Sequence, residues 1–153
     1  MFYYNFAKPN KSVSMLIDKK LLDNLCGKAK ASPRLRMNYD LRTSSDDQSQ
    51  RMLNALELGT DIPVHRHPDT AETVVMLRGS VKEMFFDIVE GKAVKTAEYV
   101  IRAGSDACAI QIPKGQWHTL ECLEADSVLF EAKDGSFAPR NEDDEFHGEI
   151  IEE

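Results

Sequence analysis

The hydrophobic positions of this chain follow two different periods, helical near the start and strand-like afterwards. Between Asp18 and Ala31 the apolar residues recur at helical spacing, at Leu21, Leu22, Leu25 and Ala29. Asp18 is a suitable N-cap, and Ser32-Pro33 ends the pattern because a residue before proline disfavours the α region. From Arg34 to Arg42 apolar and polar residues alternate one by one, which predicts a half-buried strand.

The rest of the chain consists of short apolar stretches separated by turn residues, most of them glycine. We predict strands at 50–57, 61–67, 72–77, 81–88, 93–101, 107–112, 117–123 and 127–133. Many short strands at this spacing are typical of an antiparallel sandwich or barrel. The pattern therefore predicts an all-β fold, a sandwich or a barrel, preceded by one N-terminal helix.

Composition and charge narrow the class of protein. The 153 residues carry a formal net charge of −7, which argues against a nucleic-acid or anionic-membrane partner. No stretch approaches 18 apolar residues, and the N-terminus lacks the pattern of a signal peptide. The three cysteines have no CxxC spacing, so we expect small buried thiols in a reducing cytoplasm.

The charge is concentrated at the C-terminal end. Residues 139–153 contain seven acidic residues and one basic residue, which leaves a net charge of only −1 for the other 138. We predict an N-terminal extension at 1–15, a single domain at 16–135 and an acidic tail at 136–153. The tail, including His147, is expected to be solvated or mobile.

The residues that carry chemistry lie around the predicted strand at 61–67. His65 and His67 are two apart on it, so their side chains point to the same face. Glu72 follows a turn and enters the next strand, and His118 follows the turn at Pro113 and Gly115. Three imidazoles and one carboxylate that converge inside a barrel would form a metal site with three nitrogen ligands and one oxygen ligand.

The full pattern is G-x5-H-x-H-x4-E-x6-G, followed by P-x-G-x2-H, and it resembles the two signature motifs of the cupin superfamily. Two positions of the second motif depart, with Ala107 for the usual glycine and Cys122 for the usual asparagine. The resemblance implies a cupin double-stranded β-helix, a jelly-roll barrel. It also implies one divalent transition metal (Zn, Fe, Mn or Ni), with the ligands His65, His67, Glu72 and His118.

Three longer stretches are similar to the WbuC family of cupin-fold metalloproteins: SPRLRMNYDLRTSSDDQSQRMLNALELGT, HRHPDTAETVVMLRGSV and WHTL. This similarity covers roughly residues 16–133. It implies metal binding and an association with bacterial surface-polysaccharide gene clusters, and it implies no particular reaction. A homodimer is expected because cupin sheets often pair.

The candidate substrate-binding residues are Arg36, Tyr39, Arg51 and Met76. The arginines either form the polar face of an edge strand or line the barrel mouth, where a guanidinium would hold a carboxylate or phosphate. Met76 is either core or a barrel-lining residue that touches a ligand.

Two functions remain open from the sequence. One is a metal-dependent enzyme for a small molecule, such as an oxygenase, isomerase or decarboxylase, with the metal as Lewis acid. The other is a non-catalytic module that binds metal or a small molecule. No catalytic residue can be named, because Glu72 as a ligand is not free to act as a general base.

Overall fold

The computed structural model describes residues 14–152, so most of the predicted extension at 1–15 lies outside the described residues. One helix, α1 (Lys19–Ala31), precedes the strands. The strands of residues 14–152 are β1 (Arg36–Asp40), β2 (Ser49–Leu56), β3 (Glu72–Arg78), β4 (Ser80–Val89), β5 (Lys92–Arg102), β6 (Ala109–Ile112), β7 (Trp117–Cys122), β8 (Ser127–Asp134) and β9 (Ile150–Ile151). No helix in this part of the chain has the length and apolar character needed to cross a membrane.

The strands form two sheets that enclose one apolar core. One sheet has the order β1-β2-β8-β3-β6 and the other has the order β7-β4-β5-β9. All pairs are antiparallel except β5 with β9. Both sheets contribute to a buried cluster of Leu56, Val74, Met76, Val81, Ile101, Ile112, Cys122 and Leu129. The predicted all-β barrel with one N-terminal helix is confirmed.

Helix α1 covers the outer face of the five-stranded sheet. Its cap forms as predicted, since the Leu21 amide donates to Asp18 Oδ1 at 3.0 Å. Leu25, Cys26 and Ala29 pack against Leu53, Ala55 and Val128 of β2 and β8. Because side chains alternate along a strand, the neighbouring residues Asn54 and Leu56 face the barrel interior instead. Burial of Leu25 contributes about 2 kcal/mol to holding the helix in place.

The predicted strand at 61–67 is wrong as a regular element. The structure has an extended segment there that pairs only at His65, through isolated bridges to His118 and Glu145. Pro63 and Pro68 explain the difference, because neither has an amide hydrogen to donate to a neighbouring strand.

The C-terminal segment is mostly exposed, as predicted, but it is fixed to the barrel and does not form a free tail. A short 3-10 helix, Glu142–Asp144, leads to β9, which pairs in parallel with β5. Asp144 is only 6% exposed and forms an ion pair with Arg66, with 2.8 Å between Oδ1 and Nε. The Phe146 ring packs edge-on against Trp117. The acidic composition of the segment gives no indication of the contacts made by Asp144 and Phe146. His147 is exposed, as expected.

The thiols differ in one case from the sequence-based expectation. Cys26 and Cys122 are buried, but Cys108 is exposed just before β6, an edge strand of its sheet. An edge position leaves one side of the backbone uncovered, which the residue type alone does not indicate.

Candidate metal centre

The four predicted ligands come together in the barrel. His65, His67, Glu72 and His118 each offer one ligand atom, and these atoms all lie within 4.8 Å of one another. The ring centroids of His65 and His118 are 4.4 Å apart, and those of His65 and His67 are 5.2 Å apart. This spacing allows four side chains to face one ion.

Backbone hydrogen bonds fix where these side chains begin. His65 and His118 exchange two of them, at 2.9 Å and 2.8 Å, and His67 accepts one from the Gly115 amide at 2.7 Å. Gly115 has a φ of +78°, which explains why the turn before His118 carries glycine. Glu72 is the first residue of β3, held between Ile112 and Lys133 of the neighbouring strands. The segment at 61–67, which forms no regular strand, is therefore still held in place by backbone hydrogen bonds.

Hydrogen bonds at Nδ1 prepare two of the imidazoles for ligation. His65 Nδ1 lies 2.8 Å from the Pro63 carbonyl oxygen, and His118 Nδ1 lies 2.9 Å from that of Gln116. A carbonyl oxygen only accepts, so in both rings Nδ1 carries the proton and Nε2 keeps its lone pair. This orientation by a backbone carbonyl is common for metal-binding histidines.

The surroundings of the Glu72 carboxylate indicate whether the site fits a metal. Its Oε2 atom is buried, 3.0 Å from His67 Nε2 and 3.5 Å from His118 Nε2. None of the described residues gives this oxygen a hydrogen bond of acceptable geometry. A buried carboxylate oxygen without a partner is costly, and a cation at the point where the three histidines converge would satisfy it. The donor set fits a divalent transition metal.

The surroundings shift the pKa values of the cluster residues in different directions. Burial, with the nearby positive charges of His118 and Arg140, holds the pKa of His65 well below its ordinary value, so this ring is neutral at pH 7. Burial opposes charge on His118, yet the Glu72 carboxylate raises its pKa. Burial would raise the pKa of Glu72, but contacts with His118 and His67 hold it well below its usual range. Metal binding must therefore compete with a proton at His118.

The cluster lies on the wall of a cavity of about 790 Å³, within the range of small-molecule sites. Two further carboxyl groups line it. Glu83 of β4 is 1% exposed, and burial with the nearby Glu72 charge raises its pKa to about 8. Burial and the Glu72 carboxylate raise the pKa of Glu131 of β8 well above its usual range, although Asn54 donates a hydrogen bond to it. Near neutral pH Glu83 is therefore largely protonated in metal-free protein.

The predicted substrate-binding residues are only partly brought to this cavity. Arg36 lines it, half-buried. Tyr39 packs beneath α1, Arg51 pairs with Asp47 at 3.2 Å, and Met76 lies in the apolar core. Arg36 is thus the only one of the four that lines this cavity, and substrate binding by any of them stays a prediction.

Four of the charged residues that line the cavity were missed from the sequence. Glu131 and Lys133 alternate with Ala132 along β8, so a period-two pattern could have placed them on the cavity face. Glu83 carries no such signal, because a charged residue in a strand is usually assigned to the solvent face. Arg140 lines the cavity from the segment after β8 that was predicted to be solvated.

Comparison with known proteins agrees with this architecture. The family described as a domain of unknown function, DUF6016, matches residues 17–99, which include three of the four cluster residues. No curated protein matches the chain.

Several solved structures share the fold. The Schizosaccharomyces pombe Cnp3 cupin domain is 9% identical, with a TM-score of 0.51, over 65% of this chain and 64% of that one. KdgF from Halomonas sp. is 18% identical with a TM-score of 0.50, over 73% and 86%. Oxalate oxidase in complex with glycolate is 17% identical with a TM-score of 0.53, over 69% and 53%. The chain spans less than two thirds of the first and third of these, and the likeness shows a cupin fold.

Proposed function

The chain belongs to the DUF6016 family, and from that premise we propose that it is a cupin metalloprotein that acts on a small molecule. The observation that carries the proposal is the convergence of His65, His67, Glu72 and His118 on one wall of the cavity. Four donors in an octahedral shell leave two positions for a ligand. A divalent metal bound there would supply a Lewis acid, and an enzyme of the oxygenase, isomerase or decarboxylase class is the function favoured.

The residues of the chain itself define what they would do in such a reaction. Pro63 and Gln116 hold the His65 and His118 rings with Nε2 facing the site. Glu83 and Glu131, which line the same cavity as Glu72, would present carboxyl groups to the bound molecule. The largely apolar remainder of the wall, which includes Leu56, Val74 and Leu129, would limit the access of water.

The metal proposal is tested by the metal content of the purified full-length protein. We expect about one equivalent of a divalent transition metal in the wild type, and a loss of at least tenfold in affinity for His65→Ala and His118→Ala. His147→Ala is the matched control, because His147 is exposed in the C-terminal segment. Unchanged metal content in both site variants, with folding verified by circular dichroism, would refute the proposal.

The second candidate is a non-catalytic metal-binding module. It is favoured by the burial of the donors, since His65, Glu72 and His118 are each less than 8% exposed and four ligands can close a tetrahedral zinc site. X-ray absorption at the metal edge separates the candidates. Five or six ligands including water support the enzyme, and a four-coordinate site made only of protein ligands supports the module.

The finer aspects of the proposal concern family, location and partners. We propose a WbuC-type protein, linked to surface-polysaccharide metabolism and located in the cytoplasm, on the similarity of residues 16–133. A small molecule is the proposed partner, with no nucleic acid or membrane, and a homodimer stays a prediction. Deletion of the gene, followed by analysis of the surface polysaccharide, tests the link, and an unchanged polysaccharide would remove it.

A further inference from the structure

Three arginines line the cavity where it opens to solvent, and they come from opposite ends of the chain. Arg34 and Arg36 lie just before and in β1, and Arg140 lies in the segment after β8. Arg36 is half-buried, whereas Arg34 and Arg140 are exposed. The fold thus assembles a basic cluster at the rim from segments that are about a hundred residues apart.

Arg36 is held firmly but is not neutralised. Its Nη1 atom donates to the Asp61 carbonyl oxygen at 2.6 Å and lies 3.4 Å from Thr60 Oγ1. Thr60 Oγ1 in turn donates to the Arg34 carbonyl oxygen at 2.8 Å. Within residues 14–152, Arg36 has no salt bridge to a carboxylate, and its Nε and Nη2 atoms donate no hydrogen bond. A guanidinium fixed at one end keeps its other donors available for a ligand.

The surroundings of Arg36 disfavour the positive charge on its guanidinium group. Burial and the like charges of Arg34 and Arg140 lower its pKa to about 10, so it is still charged at neutral pH. The carboxylates of Asp61 and Glu145 act in the opposite direction, and Glu145 lies 3.6 Å from Arg140 Nε. An anion between the two arginines would place a negative charge beside both guanidinium groups.

We propose that Arg36 and Arg140 form an anion subsite at the rim of the metal cavity, and that the ligand is a small acid. Its carboxylate or phosphate group would bind at the two guanidinium groups, and the rest of the molecule would extend toward Glu72 and the histidines. The inference about the whole ligand rests on the proposed function. The anion subsite itself does not require a metal.

The test is a calorimetric titration of the full-length protein with inorganic phosphate and, separately, with malonate, before and after treatment with a chelator. We expect saturable binding of at least one anion at low ionic strength. Arg36→Gln and Arg140→Gln should each weaken it about tenfold or more, since each removes charge-assisted hydrogen bonds. Arg36→Lys keeps the charge without the planar fork and should fall between the wild type and Arg36→Gln.

Arg102→Gln is the matched control, because Arg102 is an exposed arginine at the end of β5 that pairs with Glu124, and neither residue lines the cavity. It should leave anion binding unchanged. A stronger response to phosphate assigns the ligand to phosphate esters, and a stronger response to malonate assigns it to carboxylic acids. The proposal is overturned if neither anion binds, or if both Gln variants bind as the wild type does. Failure of the metal proposal alone would leave arginine-dependent binding in place.

Discussion

At His67 the environment of Nδ1 differs from that in the other two rings. Lys133 Nζ lies 3.3 Å from this atom. An ammonium group only donates, so Nδ1 of His67 acts as the acceptor while Lys133 is charged. A neutral imidazole that binds a metal through Nε2 needs its proton on Nδ1, and the lysine opposes that tautomer. Lys133 therefore competes with metal binding at this one ligand.

We predict that Lys133→Gln raises the affinity for a divalent metal by roughly tenfold. The amide oxygen of glutamine can accept a hydrogen bond from Nδ1 of His67, and the positive charge is removed. Competition with a chelating dye would measure the change. Lys95→Gln serves as the control, since Lys95 pairs with Glu98 on the surface. Weaker binding in Lys133→Gln would mean that the lysine supports the site instead.

The sequence predicts the residues of this cluster better than their surroundings. The spacing of His65, His67 and Glu72 restricts them to neighbouring extended segments, and the turn at Gly115 restricts His118. Lys133 and Arg140 reach the site from β8 and the segment after it, and only the three-dimensional fold brings these near. The alternation along β8 could have placed Lys133 on the inner face of its sheet, but it does not indicate which distant residue that side chain meets.

Among the elements, the C-terminal segment matters most for the metal centre. The amide of Arg66 donates to the Asp144 carbonyl oxygen at 3.0 Å, and the Phe146 amide donates to that of Val64 at 2.8 Å. The guanidinium group of Arg66 bonds to the Asp144 carboxylate and lies 4.8 Å from the Trp117 ring centroid. The C-terminal segment therefore holds the stretch that carries His65 and His67 on the side opposite β7.

We expect Asp144→Asn to lower the free energy of unfolding by about 1–2 kcal/mol, because it weakens a mostly buried ion pair, and to reduce metal affinity several-fold. Asp143→Asn, an exposed change in the same short helix, is the control. Denaturant unfolding and metal titration check the two effects. A stable Asp144→Asn protein with wild-type metal affinity would show that the segment is not needed for the site.

Prediction and structure differ most at the scale of the individual elements. Helix α1 and the strands of the barrel follow from periodicity, because each has one apolar face. The segment 61–67 reads as a strand from its composition, yet Pro63 and Pro68 prevent regular pairing. The segment after β8 reads as a solvated tail from its charge, yet Asp144 and Phe146 fix it to the barrel.

For the whole molecule, the distribution of charge decides how stability depends on pH. Most of the formal charge belongs to the C-terminal segment, whereas the interior holds Glu83 without a partner for Oε2 among the described residues. With a pKa of about 8 in the folded state and an ordinary value of 4.5, Glu83 keeps its proton where the unfolded chain loses it. Rising pH therefore favours the unfolded state between these two values.

We predict that the metal-free wild type loses stability relative to Glu83→Gln as pH rises from 5 to 8, by at most about 1.4 kcal/mol per pH unit. Above that range the difference should be constant. Denaturant unfolding at a series of pH values measures it, with the exposed turn variant Glu90→Gln as control. A wild type and Glu83→Gln pair with parallel profiles would contradict a buried neutral carboxyl group.

The bridge between His65 and His118 has a consequence for how the protein matures. The two residues are about fifty positions apart, with β3 to β6 between them in the chain, so their pairing is a long-range contact with a high cost of loop closure. A partly folded intermediate offers an incomplete donor set, and it cannot hold an ion as the finished protein can. In the proposed metalloprotein, metal uptake would then be a late event, and a bound ion would mark those chains whose barrels have closed.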